Sequence, residues 1–236
     1  MRAKPHVTRT KNFAADAADF ILEQAHKAIG ERNEFRIALS GGNTPAPVYA
    51  RLANEIHDFP FEKVRFTFGD ERCVPPDDPQ SNFRMARENL FVPAGVPETS
   101  IMRMRGEIDP QIAADEYEQQ LQTIARECDE PMYRHDVILL GLGPDGHTAS
   151  LFPGTAALED MTRTVVANFV PKLNAWRLTF TFPLINHARN ILFLVGASKS
   201  PELIDMVLEG DSQFPAARVN PIAGEVTWMI GEQETQ

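Results

Sequence analysis

Cysteine is nearly absent. Cys73 and Cys128 are the only two in 236 residues and show no CxxC spacing. Spacing alone leaves one Cys73–Cys128 disulfide open, but the scarcity of cysteine predicts two free thiols in a reducing compartment. No run approaches the roughly 18 to 20 apolar residues that a bilayer span needs. No apolar stretch follows the positive residues of Met1-Arg2-Ala3-Lys4-Pro5-His6 either, so no secretory signal is expected. Positive charge is also short: 23 Lys and Arg stand against 33 Asp and Glu, a formal net charge of −10. This balance argues against nucleic acid or an anionic membrane as a partner, and it requires any anion site to be built from local donors. The six histidines, at 6, 26, 57, 135, 147 and 187, form no HxH or HExxH pair. His135-Asp136 reads as structural because Asp136 opens an apolar strand. There is no GxxxxGK[ST] phosphate loop, no GxSxG elbow, no low-complexity tract and no repeat. The expectation is a cytoplasmic single domain over residues 1–236, a monomer or weak homo-oligomer, with no metal and no cofactor.

What is present is an alternation of short apolar runs and longer amphipathic stretches. It predicts an α/β fold: a mostly parallel, Rossmann-like central sheet flanked by helices, with a ligand crevice at the carboxyl ends of the strands. Phe13, Ala17, Phe20, Ile21, Ala25, Ala28 and Ile29 recur at helical spacing, with Asn12 as cap and Gly30 as stop. Strands are expected at 35–39, 64–68 and 136–140, the last rich in branched residues and therefore central and parallel. Further strands are expected at 163–167, 178–182, 191–195 and 226–230. Helices are expected at 81–91, 109–128 and 201–208, the last capped by Ser198 or Ser200.

Three polar, glycine-bearing turns follow the first three strands, and in a parallel sheet such turns share one edge. In Ser40-Gly41-Gly42-Asn43-Thr44-Pro45 the glycines let the backbone approach a ligand. The turn then opens a helix, with Thr44 as cap and Pro45 at the first helical position, whose free N–H groups favour an anion such as phosphate. In Gly69-Asp70-Glu71-Arg72 the arginine is a fork donor for a carbonyl oxygen or a phosphate, unless the turn is only a surface ion pair. Asp70 and Glu71 either hold that arginine or act on substrate. Gly141-Leu142-Gly143-Pro144-Asp145-Gly146-His147 matches GxGxxG by accident, since Pro144 removes a donor and Asp145 puts a carboxylate where a pyrophosphate would sit. The turn instead presents His147, two residues from Asp145, as a general base for work near neutral pH.

These blocks, with Ser81-Asn82, Thr148-Ala149-Ser150-Leu151-Phe152-Pro153-Gly154, Arg177-Leu178-Thr179, Pro183-Leu184-Ile185-Asn186 and Gly224-Glu225-Val226-Thr227-Trp228, resemble the 6-phosphogluconolactonase family, within the glucosamine/galactosamine-6-phosphate isomerase superfamily. The rival within it, glucosamine-6-phosphate deaminase, carries tyrosine where this chain has Arg72 and a carboxylate soon after the Asp-Gly-His. Here Leu151 and Phe152 follow instead, and proton shuttling on an amino sugar lacks its acid. A non-catalytic sugar-phosphate sensor is the other alternative, but these 236 residues leave no spare length or basic segment for the partner domain such a module is expected to carry, and a sensor would not need His147. Two departures from the family pattern are Gly231, where an aspartate is frequent, and Trp176 in the segment before Arg177.

The resemblance implies hydrolysis of 6-phospho-D-glucono-1,5-lactone, a small sugar-phosphate lactone, in the oxidative pentose phosphate pathway. It implies His147 as base, Asp145 as its orienter, and Arg72 at the oxyanion or the phosphate. Ser40, Gly41, Gly42, Thr44, Asp70, Arg177 and Lys199 would bind substrate. The lysine would be directed at phosphate unless it is only a solvated residue at a helix start.

Overall fold

The first half of the chain runs β1 (His6–Thr10), α1 (Phe13–Arg32), β2 (Phe35–Leu39), α2 (Ala46–Glu55), β3 (Val64–Phe68) and β4 (Asp70–Arg72). A continuous helical stretch follows: α3 (Asn82–Ala86), a π-helical turn (Arg87–Phe91) and α4 (Val92–Ala94), and then α5 (Pro110–Glu127). The second half runs β5 (Val137–Gly141), β6 (Val165–Val170), β7 (Ala175–Phe180), α6 (Phe182–Ile185), β8 (Asn190–Val195), α7 (Pro201–Glu209) and β9 (Glu225–Gly231). These coordinates are a computed structural model that describes residues 5–56 and 59–233. Residues 1–4, on which the reading of the N-terminus rests, and His57 lie outside the described residues.

Six strands form a parallel sheet in the order β1-β9-β8-β5-β2-β3. Its central strand shows why both faces are covered. Val137, Ile138, Leu139 and Leu140 are all at most 1% exposed, and successive side chains point to opposite faces. Ile138 and Leu140 join a core with α5, α7, β6 and β7, whereas Val137 and Leu139 join a second core with α1, α2 and the 82–94 helical stretch. Strand β8 splits in the same way, with Ile191, Phe193 and Val195 on one side and Leu192 and Leu194 on the other. Apolar residues at every position are what a doubly covered parallel strand demands. Trp228 on β9 stacks on its register partner Phe193 with ring centroids 4.0 Å apart.

Several expectations need correction. The first helix does not stop at Gly30 but continues to Arg32, because a helical glycine costs only about 1 kcal/mol and Asn33 takes the left-handed conformation (φ 59°) to end it. The second helix starts one residue late: Pro45, not Thr44, is the cap residue, and its carbonyl accepts from Tyr49 N at 2.9 Å. Strand β1, an exposed edge strand, has too little apolar alternation to be read from the sequence. Ser200, and not Ser198, caps α7, accepting from Leu203 N at 3.3 Å.

The largest difference is a second sheet. Asp70-Glu71-Arg72 is not a turn but a short strand, which pairs antiparallel with β7 in the order β4-β7-β6. The strands expected at 163–167 and 178–182 also belong here, shifted to Val165–Val170 and Ala175–Phe180. Cys73 is half-buried and Cys128 exposed, both unpaired.

Candidate active site

The carboxyl ends of β5, β2 and β3 lie side by side in the parallel sheet, so the segments that follow them meet at one edge. After β2, the Ser40 amide and carbonyl are both bonded to the buried Tyr49 hydroxyl, at 2.9 and 2.8 Å. This anchors the start of the bend. Gly41 must be glycine because a Cβ there would lie 1.7 Å from Asn82 Oδ1. Gly42 has φ +92°, a conformation that favours glycine. Further round the bend, Thr44 packs on the loop after β8: a Cβ on Gly196 would sit 3.5 Å from Thr44 Oγ1. That loop carries Lys199, half-buried and with no side-chain hydrogen bond or ion pair among the described residues.

After β3, Asp70 is buried; it accepts from Ser150 Oγ at 2.6 Å and from Asn82 Nδ2 at 3.2 Å. Asn82 thus joins the glycine bend to Asp70, and Ser150 joins Asp70 to the turn after β5. Glu71 is committed to scaffolding. Its carboxylate accepts from the amides of Arg72, Asn82 and Phe83 at 2.7 to 2.8 Å and from Ser81 Oγ at 3.0 Å. Burial raises its pKa, opposed by those amide donors. Neither Asp70 nor Glu71 bonds the Arg72 guanidinium, which reaches the Gln80 carbonyl.

Arg72 and Arg177 are register partners on β4 and β7. Like charges directly opposite on an antiparallel pair are unfavourable. Burial lowers the pKa of Arg177, and the Arg72 charge lowers it further. Among the described residues, the Arg177 side chain bonds only the Trp176 carbonyl, from Nη1 at 3.0 Å. Two adjacent cations with no carboxylate among the described residues bonded to either are equipped to take an anion.

After β5, the turn is folded by Gly143 N donating to His147 O at 2.8 Å and Gly146 N donating to Gly143 O at 3.1 Å. A Cβ on Gly143 would lie 2.0 Å from His147 Nδ1 and Cε1. The glycine spacing that mimics a dinucleotide motif therefore makes room for an imidazole. His147 Nδ1 lies 2.5 Å from Asp145 Oδ1. Burial raises the Asp145 pKa, but hydrogen bonds from Lys172 and His147 outweigh it and bring it down to about 2, so the carboxylate is ionised at neutral pH. An ionised carboxylate only accepts, which assigns the ring proton to Nδ1 and leaves the Nε2 lone pair free. Burial is the largest influence on the His147 pKa and, with the Lys172 charge, lowers it against the upward pull of Asp145 and Asp70. At neutral pH the imidazole is accordingly neutral and basic. Its plane is set by Phe152, stacked at 3.9 Å and 26°.

The bend at 40–44, Asp70 and the Asp145–His147 pair thus form one neighbourhood. The Asp70 charge acts on the His147 imidazole and, after burial, on the Tyr49 hydroxyl beneath Ser40. Ser40 Oγ, Asn82 Oδ1 and Thr148 Oγ1 are buried there without a hydrogen-bond partner. Such atoms are rare in folded proteins, and three of them at one edge mark where a polar ligand would be held. Sequence reasoning missed Phe152, noted only as apolar, and Lys172, whose ammonium bonds Asp145 Oδ2 and lies 4.6 Å from the Phe152 ring centre. Neither carries a local signal, because both act across loops distant in sequence. Asn82 and Ser150 stand in motifs that resemble the family, but their bonds to Asp70 are visible only in three dimensions.

The sequence model of the glucosamine-6-phosphate isomerases/6-phosphogluconolactonase family matches residues 8–228. A 6-phosphogluconolactonase of Synechocystis sp. is 45% identical over 211 residues, covering 88% of this chain and 86% of that protein. One from Nostoc sp. is 38% identical, covering 92% and 90%. Among solved structures, 6-phosphogluconolactonase from Thermotoga maritima superposes with a TM-score of 0.85 at 27% identity, covering 97% of this chain and 100% of that one. The Trypanosoma cruzi enzyme gives 0.84 at 31% identity, covering 98% and 96%. On the match over residues 8–228 and the 45% identity to the Synechocystis protein, the chain belongs to the glucosamine-6-phosphate isomerase/6-phosphogluconolactonase family.

Proposed function

We propose that this chain hydrolyses 6-phospho-D-glucono-1,5-lactone to 6-phospho-D-gluconate, in the cytoplasm, as a monomer or weak homo-oligomer that needs no protein-bound metal or cofactor. One observation carries the reading: a neutral imidazole whose Nδ1 faces an ionised carboxylate and whose Nε2 has no partner among the described residues, set beside a glycine bend and two adjacent arginines that bond backbone carbonyls and no described carboxylate. A δ-lactone is an activated ester, so water, a base and a donor to the oxyanion suffice.

His147 Nε2 takes a proton from water as its oxygen bonds to C1, and the carbonyl electrons move onto the oxyanion. Collapse breaks the bond from C1 to the ring oxygen. The imidazolium then returns its proton to that oxygen as the C5 hydroxyl forms. Asp145 holds the ring and stabilises the imidazolium without changing its own protonation. Arg72 and Arg177 take either the oxyanion or the phosphate. Ser40, Gly41, Gly42, Thr44 and Lys199 hold the phosphate, and Asp70 keeps the bend and the histidine turn in register. Local donors are needed because a net charge of −10 repels an anionic substrate at long range.

A coupled assay on freshly prepared lactone, corrected for spontaneous hydrolysis, tests the proposal. Turnover above the spontaneous rate is expected, and ammonia release from glucosamine 6-phosphate in its place would favour the deaminase instead. Lys199→Ala is expected to raise KM by roughly tenfold or more with kcat little changed, because a phosphate is gripped alike in ground and transition states. A variant that loses only kcat would remove Lys199 from anchoring.

A further inference from the structure

We propose that Lys172, at the tip of the β6–β7 hairpin, is a positioning residue: its ammonium clamps the Asp145 carboxylate and covers the Phe152 ring, so that the hairpin holds the imidazole from outside its own turn. The inference deepens the reading of His147 as base and rests on it. Asp145 has two oxygens and two partners, His147 Nδ1 on Oδ1 and Lys172 Nζ on Oδ2. Phe152 likewise has two, the stacked imidazole and the ammonium 4.6 Å from its centre. The lysine therefore closes a four-membered cluster whose other members come from the 145–152 segment. It is placed there by the one-turn helix Pro171–Leu173 and by Asn174 in the left-handed conformation (φ 47°), which together reverse the chain between β6 and β7.

The charges facing His147 are Asp145 on its own turn, Lys172 on the hairpin and Asp70 on β4. The two carboxylates favour the imidazolium, while Lys172 disfavours it, as does burial, which is the largest influence. Removing the ammonium acts twice in one direction, taking away a repelling charge and leaving Asp145 to the imidazolium alone. The histidine pKa must then rise. Lys172 is 47% exposed, so water and salt screen the effect.

The test is a histidine NMR titration of the substrate-free protein, with the His147 signal assigned by its loss in His147→Asn. In Lys172→Met the His147 midpoint is expected to move up by about 0.5 pH, and the acid limb of kcat/KM should move with it. Lys172→Arg keeps the charge and is expected to titrate like the wild type. An unmoved midpoint in Lys172→Met, or an arginine variant displaced as far as the methionine one, overturns the proposal. The titration needs no turnover, so the two readings fail separately. If His147→Ala hydrolyses lactone normally, the base assignment falls; if it is inactive while Lys172→Met titrates unchanged, only the clamp falls.

Discussion

Alanine at position 147 is expected to lower kcat on the lactone by about 10²- to 10⁴-fold, the usual loss with a general base, while KM stays near the wild-type value. The direction follows from the geometry. The imidazole is neutral because burial lowers its pKa, its Nδ1 proton is committed to Asp145, and its Nε2 is free. It contacts Phe152 and Asp145 but bonds none of the groups proposed to hold the phosphate, so binding should survive its removal. Residual activity is expected, because oxyanion donors and bound water still act on an ester that also hydrolyses spontaneously. Steady-state kinetics on fresh lactone decide the matter. A variant within threefold of wild-type kcat would show that some other group takes the proton.

Gly143→Ala is expected to lose nearly as much, without touching a polar group. The added methyl would occupy space 2.0 Å from His147 Nδ1 and Cε1, so the ring must rotate away and leave Asp145. Gly143 is not among the glycines with positive φ, so its backbone accepts alanine and the damage is confined to the imidazole. A kcat within about tenfold of His147→Ala is expected, with a thermal midpoint lowered by only a few degrees, as for an ordinary substitution. The double variant should be scarcely worse than either single one, since both remove the same function. Wild-type turnover in Gly143→Ala would mean that the base works from a different rotamer. Full loss of folding would mean that the turn, and not the ring, needs the glycine.

Much of the frame is legible in the residues because it is encoded locally. The branched run Val137-Ile138-Leu139-Leu140 announces a strand covered on both faces, the apolar residues of 35–39 announce another, and the two, β5 and β2, are neighbours in the sheet. The Asp145–His147 bond joins groups two residues apart, within reach of a single turn. Other features resist such reading. Asp70-Glu71-Arg72 has the composition of a polar turn; only pairing with β7, a hundred residues on, makes it a strand. Glu71 looks as available for chemistry as its neighbour, yet three amides and a hydroxyl engage it. Gly41 and Gly143 look alike as turn glycines, although the first clears Asn82 and the second clears His147.

The amino-acid order alone therefore specified most strand-forming runs of the parallel sheet, the glycine turns after β2 and β5 and the closeness of Asp145 to His147, since each depends on side-chain periodicity or on neighbours within a few bonds. Tertiary structure decided which cations stand together, what Asp70 and Glu71 each hold, and that Lys172 reaches Asp145 across 27 residues of chain. Those outcomes depend on strand register and loop closure, where one residue of slip sends every side chain to the opposite face. No local pattern records that choice; it emerges only when both cores close on the sheet.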